Sequence, residues 1–166
     1  MSKTPQAVVR LSELALEPYE HGERYRSMDA GLSERMALTQ LGAAYSEIPP
    51  GKTACPFHVH HVEDEMFVVL AGTGEYRFGD TVHAVAEGDV LGAPRGGAEY
   101  AHQLTNTGSQ TLRYLAISSK AECDVCEYPD SNKFQVMSRR SAAEGEAFRY
   151  IGRKHTHLDY FDGEET

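Results

Sequence analysis

An antiparallel all-β fold, a sandwich or barrel, is predicted by three features of this sequence. From about Leu38 onward, short β-compatible runs follow one another at close intervals. Gly, Pro, Asn and Asp clusters separate them, as strand-ending turns require. No long segment of 3.6-residue periodicity lies between the runs, so the crossover helices of an α/β fold have no place.

Residues 1–37 read as an N-terminal arm. They are charge-rich and irregular, with Val8-Val9 and Leu14 to Leu16 separated by Pro18, Gly22 and Gly31. One short strand or helical turn packed against the main body is expected there. The core barrel is expected over residues 38–119. Its strands are predicted at Leu41 to Ile48, Glu65 to Ala71, Glu75 to Phe78, Val82 to Ala86, Asp89 to Ala93, His102 to Asn106 and Thr111 to Ser118. Gly79-Asp80 marks a hairpin turn, because glycine supplies positive φ without steric cost. In residues 120–166, KAECDVCEYPDSNK reads as a loop and Phe134 to Ser138 as one more strand. The tail is polar until His157 to Phe161, whose aromatics are expected to dock on the barrel or on a partner subunit.

Composition narrows the function. With 166 residues, 40% hydrophobic and 25% charged, the chain suits one compact core and is far from a disordered one. No stretch approaches the roughly 20 apolar residues of a membrane span. The N-terminal MSKTPQAVVRLSELALEP lacks the compact apolar run of a signal peptide, so a soluble cytoplasmic protein without membrane partners is expected. Sixteen Lys and Arg against 25 Asp and Glu give a net charge of −9. Such a surface repels phosphate backbones and argues against nucleic acid, while leaving room for one small anion on a local Arg or Lys. Three cysteines suit a reducing compartment better than a disulfide scaffold.

The feature that carries chemistry is His58-Val59-His60-His61-Val62-Glu63-Asp64-Glu65. Strand side chains alternate, so His58 and His60 share one face while Val59 and His61 share the other. Two imidazoles on one face and a carboxylate from the next strand make a three-ligand set suited to Fe(II), Mn(II) or catalytic Zn(II). Taken alone, the octapeptide reads equally well as a surface histidine cluster. Glu63 and Asp64 compete with Glu65 for the carboxylate role, and His61 with His58. Glu65 opens the strand run EMFVVLAG, which favours it. His83 has no spaced partner and reads as a surface strand residue.

The spacing around the cluster resembles the two motifs of the cupin superfamily. Gly51, six residues, His58-Val59-His60, four residues, Glu65, six residues and Gly72 follow its first motif, with a lead-in one residue longer than usual. Gly88, five residues, Pro94-Arg95-Gly96 and then His102 with Asn106 follow its second, with an insertion at Gly97 to Ala101. The resemblance spans about residues 38–119 and implies a double-stranded β-helix, that is, an antiparallel jelly-roll barrel. It implies one divalent metal (Fe, Mn, Zn or Ni) on His58, His60, Glu65 and His102, and a homodimer.

Three His and one Glu leave two positions on an octahedral ion for water or a chelating substrate. That permits an isomerase, an iron-dependent dioxygenase or a decarboxylase, fold does not choose among them, and a ligand-binding module without turnover is the alternative from another class. Similar small bacterial cupins are labelled sugar-phosphate isomerases, so a sugar or sugar-phosphate isomerase is the leading expectation. Arg95 and Lys52 are the candidates for a substrate phosphate if their loops fold inward, and otherwise are solvated turn residues. Glu99 and Tyr100, in the insertion, are the candidate acid–base residues. For a dioxygenase, Phe67, Val69, Tyr76 and Phe78 offer an apolar pocket, though ordinary barrel core accounts for them equally. Cys123-x-x-Cys126 reads as loop packing, as a redox pair, or as half a zinc site completed by His155 and His157.

Overall fold

The structure, a computed structural model, describes residues 4–140, 148–153 and 157–164. Its strands form an antiparallel jelly-roll barrel. One sheet has the order β1-β2-β3-β10-β5-β8, built from Glu17–His21, Tyr25–Gly31, Leu41–Ile48, Leu112–Ser119, Glu65–Ala71 and Val90–Ala93. A second, β7-β6-β9, uses Thr81–Ala86, Thr73–Phe78 and His102–Thr105. A third, β13-β12-β11-β4, uses Phe148–Arg153, Lys133–Ser138, Cys123–Tyr128 and Val59–His60. No helix among the described residues is long and apolar enough to cross a membrane.

The core lies between the first two sheets. Ile48, Phe67, Val69, Tyr76, Val85, Leu91, Leu104, Leu112 and Tyr114 form one buried cluster to which both contribute. Burying side chains such as Ile48, Val69 and Leu112 stabilises the fold by about 1.5–3 kcal/mol each. Asn106 is fully buried and holds the β9–β10 turn to the end of β3. Its Nδ2 donates to the carbonyls of Ile48 at 2.7 Å and Gln110 at 2.8 Å. At the β6–β7 hairpin Gly79 has φ +53°, and a Cβ there would lie 2.6 Å from the Glu99 carbonyl.

Strands β3 and β5 have the predicted bounds, and the other core strands differ by one or two residues. The arm holds more than one short element: a single 3₁₀ turn at Leu11–Glu13 and a hairpin, β1–β2, that extends the largest sheet through β3. Its charged, outward-facing residues hide the alternation. The segment after Ser119 is also not a loop, because Cys123–Tyr128 is strand β11, paired with both β12 and β4. Its inward positions include an acid, Asp124, which breaks the apolar-in pattern by which a strand is recognised. Phe148–Arg153 adds β13, an edge strand that the sequence reading passed over as polar tail. Tyr160 and Phe161 are 88% and 65% exposed, packed on each other rather than docked on the described residues.

Candidate metal centre

Strand register brings four of the predicted side chains together. Val59 is fully buried against Phe57 and Ala101. His61 lies outside with Nε2 3.0 Å from the Glu127 carboxylate. His58 pairs with His102 through two backbone hydrogen bonds of 3.1 and 2.7 Å, so their side chains leave the same face. Their rings are 4.5 Å apart between centroids, and those of His58 and His60 are 5.2 Å apart. Glu65 starts the inward face of β5 that continues with Phe67 and Val69. Its Oε2 lies 3.5 Å from His58 Nε2, 3.5 Å from His60 Nε2 and 3.0 Å from His102 Nε2. The insertion Gly97 to Ala101 folds as a 3₁₀ turn at Ala98–Tyr100, which absorbs its length before His102 rejoins the sheet.

Each imidazole is held from behind. His58 Nδ1 is 2.8 Å from the Pro56 carbonyl, His102 Nδ1 is 3.3 Å from the Tyr100 carbonyl, and His60 Nδ1 is 2.5 Å from Asp124 Oδ2. These partners only accept, so the Nδ1 atoms carry the protons and the Nε2 atoms turn lone pairs towards Glu65. Three lone pairs aimed at one carboxylate oxygen repel it unless a cation lies among them or the rings take a second proton. The donor set therefore fits a divalent metal ion, and hydrogen-bonded Nδ1 atoms are the usual accompaniment of ligating histidines.

Electrostatics follows from this crowding. Where the rings take that second proton, burial still favours the neutral carboxyl of Glu65, but hydrogen bonds from His102 and His58 and the charge of His60 overcome it and hold the group well below the usual carboxylate range. Burial, joined by the neighbouring His58, depresses His102 against the pull of Glu65. Asp124 is lowered because the His60 contact outweighs its desolvation.

His58 and Glu65 open into a pocket of about 380 Å³, which Ser27, Asp29, Cys55, Phe67, Tyr114 and Ala116 help to line. Asp29 accepts a hydrogen bond from Ser27 Oγ at 2.6 Å. Glu65 and Ala116 also line an adjoining pocket of about 350 Å³ that contains Lys120. The residues predicted for substrate and acid–base roles stand elsewhere. Lys52 Nζ donates to the Glu23 carbonyl, and Arg95 is exposed with its backbone N–H on Asp64. Glu99 is exposed with its carboxylate against Gly97, and the Tyr100 ring covers Gly96 and lies 6.1 Å from Phe78. None of the four lines the pocket at His58 and Glu65. Of the competitors to Glu65, Glu63 is buried and pairs with Arg139, while Asp64 caps the Arg95 backbone. His83 is exposed and bonds Thr81.

Asp124 and Tyr128 were missed as site residues, and Cys126 was considered only together with Cys123, not beside the histidines. They alternate along β11, so they share the face turned to the histidines. Tyr128 stacks on His58 at 6.3 Å, and burial pushes the Cys126 thiol up to about 11. The same alternation separates the CxxC pair, since residues three apart on a strand face opposite sides. Cys123 is exposed and bonds Ser138, whereas Cys126 is buried, so a disulfide between them is not formed. Cys123 and Cys126 cannot ligate one ion, which removes the Cys₂His₂ zinc expectation. His157 is exposed and His155 lies outside the described residues.

Residues 44–118 match the sequence profile of the cupin domain. The barrel of this chain is a cupin domain. No curated protein matches the sequence. Among solved structures, a candidate sugar phosphate isomerase of Acidithiobacillus ferrooxidans is similar at 27% identity and TM-score 0.76, covering 90% of this chain and 92% of that one. That coverage carries the likeness beyond the cupin domain into the arm and the C-terminal sheet. A cupin-superfamily sugar phosphate isomerase of Silicibacter pomeroyi shares the fold at 19% identity and TM-score 0.74, over 89% of this chain and 92% of that one. A predicted oxalate decarboxylase of Thermotoga maritima is 27% identical with TM-score 0.60, over 69% of this cupin chain and 99% of the other.

Proposed function

We propose that this cupin is a metal-dependent isomerase that moves a proton between neighbouring carbons of a small sugar or sugar phosphate. The observation that most supports this reading is one pocket holding both His58 and Glu65 of the histidine–carboxylate cluster and the Ser27–Asp29 pair. His58, His60, Glu65 and His102 would hold a divalent ion, which when bound would supply Lewis acidity to polarise a carbonyl or hydroxyl oxygen of the substrate. Asp29 is the proton carrier, taking a proton from one carbon and returning it to the next. The Ser27 hydroxyl fixes the Asp29 carboxylate through its 2.6 Å hydrogen bond. Phe67, Tyr114 and Ala116 give the pocket an apolar side that limits water around the transferred proton.

Arg95 and Lys52 drop out of the proposed substrate contacts because neither lines this pocket, Lys52 Nζ being bonded to the Glu23 carbonyl. Where the sugar carries a phosphate, Lys120 in the adjoining pocket takes their place. The acid–base role passes from Glu99 and Tyr100 to Asp29 for the same reason. A homodimer remains part of the proposal, since edge strand β13 leaves Tyr150 and Ile151 about half exposed. Light scattering after size exclusion tests it.

The activity test incubates metal-loaded protein with free and phosphorylated aldoses and ketoses in D₂O, with and without oxygen. Isomerisation and deuterium wash-in beside the carbonyl are expected without oxygen. Asp29→Asn should abolish both while metal content stays unchanged, and Lys120→Ala should raise KM for phosphorylated substrates alone. An absolute oxygen requirement would hand the site to a dioxygenase, and ligand binding without turnover would hand it to a binding module.

A further inference from the structure

Strand β11 lays a sulfur donor against the histidine pair. Cys126 stands opposite His60 in the β11–β4 register. Directly opposed residues of an antiparallel pair project from the same face, with Cβ atoms about 5 Å apart. Cys126 is 4% exposed, and its Sγ and one ring nitrogen each from His58 and His60 all lie within 4.8 Å of one another. Its neighbours on that face hold the cluster in place. Asp124 bonds His60, and the Tyr128 side chain hydrogen-bonds with the thiol while its ring stacks on His58.

His58 and His60 therefore belong to two donor sets. Nitrogen and oxygen complete one, through His102 and Glu65, and sulfur completes the other. We propose that Cys126 gives the site a second metal position, a two-histidine, one-thiolate seat for a soft ion such as zinc, beside the three-histidine, one-carboxylate seat for a harder ion. The inference rests on the reading that these histidines bind metal. Tetrahedral zinc, with imidazole nitrogens at about 2.0–2.1 Å and thiolate at about 2.3 Å, needs donor atoms about 3.5 Å apart. Movements of about 1 Å close the observed cluster to that spacing, with water as fourth ligand. Binding releases the thiol proton to solvent. Because the two seats share both imidazoles, one ion excludes the other, and the softness of the ion decides the seat.

Cobalt(II) is the probe, since a cobalt–thiolate bond gives an intense near-ultraviolet charge-transfer band that nitrogen and oxygen ligands do not. Metal-free protein is titrated with cobalt while absorbance and bound metal per chain are followed. The wild type should show the band. Cys126→Ser should lose it and still bind cobalt through the other seat. The control is Cys55→Ser, because Cys55 Sγ lies 3.8 Å from His58 Nδ1 and is the competing thiol. A Cys55→Ser/Cys123→Ser variant leaves Cys126 as the last of the three cysteines, and the band should persist, which decides the matter even where Cys126→Ser folds poorly. Cobalt bound without the band, or a band lost in the Cys55→Ser/Cys123→Ser variant, overturns this inference alone. No bound cobalt overturns it together with the metal reading.

Discussion

Replacing Asp124 by asparagine isolates what holds His60 in position. The carboxylate is 3% exposed and serves two donors, His60 Nδ1–H at 2.5 Å and the Val62 backbone N–H at 3.0 Å. An amide of the same shape has one oxygen, so it serves only one of them. If that oxygen faces Val62, the amide NH₂ donates to His60 Nδ1 and drives the ring proton onto Nε2, the nitrogen that faces Glu65. If it faces His60, the Val62 N–H loses its side-chain partner and the turn after β4 loses its tie to β11. Losing such an orienting partner weakens metal binding by about 10–100-fold, or about 1.4–2.7 kcal/mol. Asp124→Asn should fall near the upper end, because either amide orientation is wrong for one donor. Chelator-competition titrations with zinc and manganese measure the loss, with His61→Ala as control since His61 pairs with Glu127 outside the cluster. Wild-type affinity in Asp124→Asn, or an equal loss in His61→Ala, refutes the reasoning.

Further outcomes are expected elsewhere in the fold. Arg139→Ala removes the charged partner of Glu63, whose side chain is only 5% exposed and keeps the Ala121 N–H alone, and should cost about 2 kcal/mol, discounted for the partly exposed guanidinium; urea unfolding reads it. Gly79→Ala should cost more than about 1 kcal/mol, because φ is +53° and the new Cβ meets the Glu99 carbonyl at 2.6 Å; an unchanged urea midpoint would contradict the hairpin geometry. Burial, helped by the hydrogen bond to Glu47, pushes the Tyr45 phenol up to about 12, and burial drives Tyr76, Tyr114 and Tyr128 upward too. Unfolded phenols ionise near about pH 10, so the native state holds more protons above that point and stability should fall as pH rises from about 10. Midpoints measured at pH 9 and 11 should show this, with a shallower drop in Tyr45→Phe.

The barrel strands were legible because each alternates and is bounded by turn residues, as β3 and β5 show to the residue. The arm hairpin and β11 were not. In Glu17–His21 all five residues are exposed, and in Cys123–Tyr128 an acid occupies an inward position, so neither presents the apolar alternation that marks a strand. The candidate pocket followed the same division. His58, His60, Glu65 and His102 stood out by spacing, whereas Asp29, on the arm, and Asp124, on β11, lack any local signal.

What the sequence by itself determined is whatever depends on neighbours along the chain. That covers the strand and turn periodicity of residues 38–119, and the alternation that turns His58 and His60 one way and His61 the other. The tertiary structure alone decided what crosses to meet them. Pairing Cys126 with His60 joins positions 66 residues apart, and it delivers Asp124, Cys126 and Tyr128 to the histidines together. That register is chosen by packing and hydrogen bonding over whole strands, so no spacing within either segment encodes it. The same holds for Lys52, Arg95, Glu99 and Tyr100, whose direction depends on how their loops close.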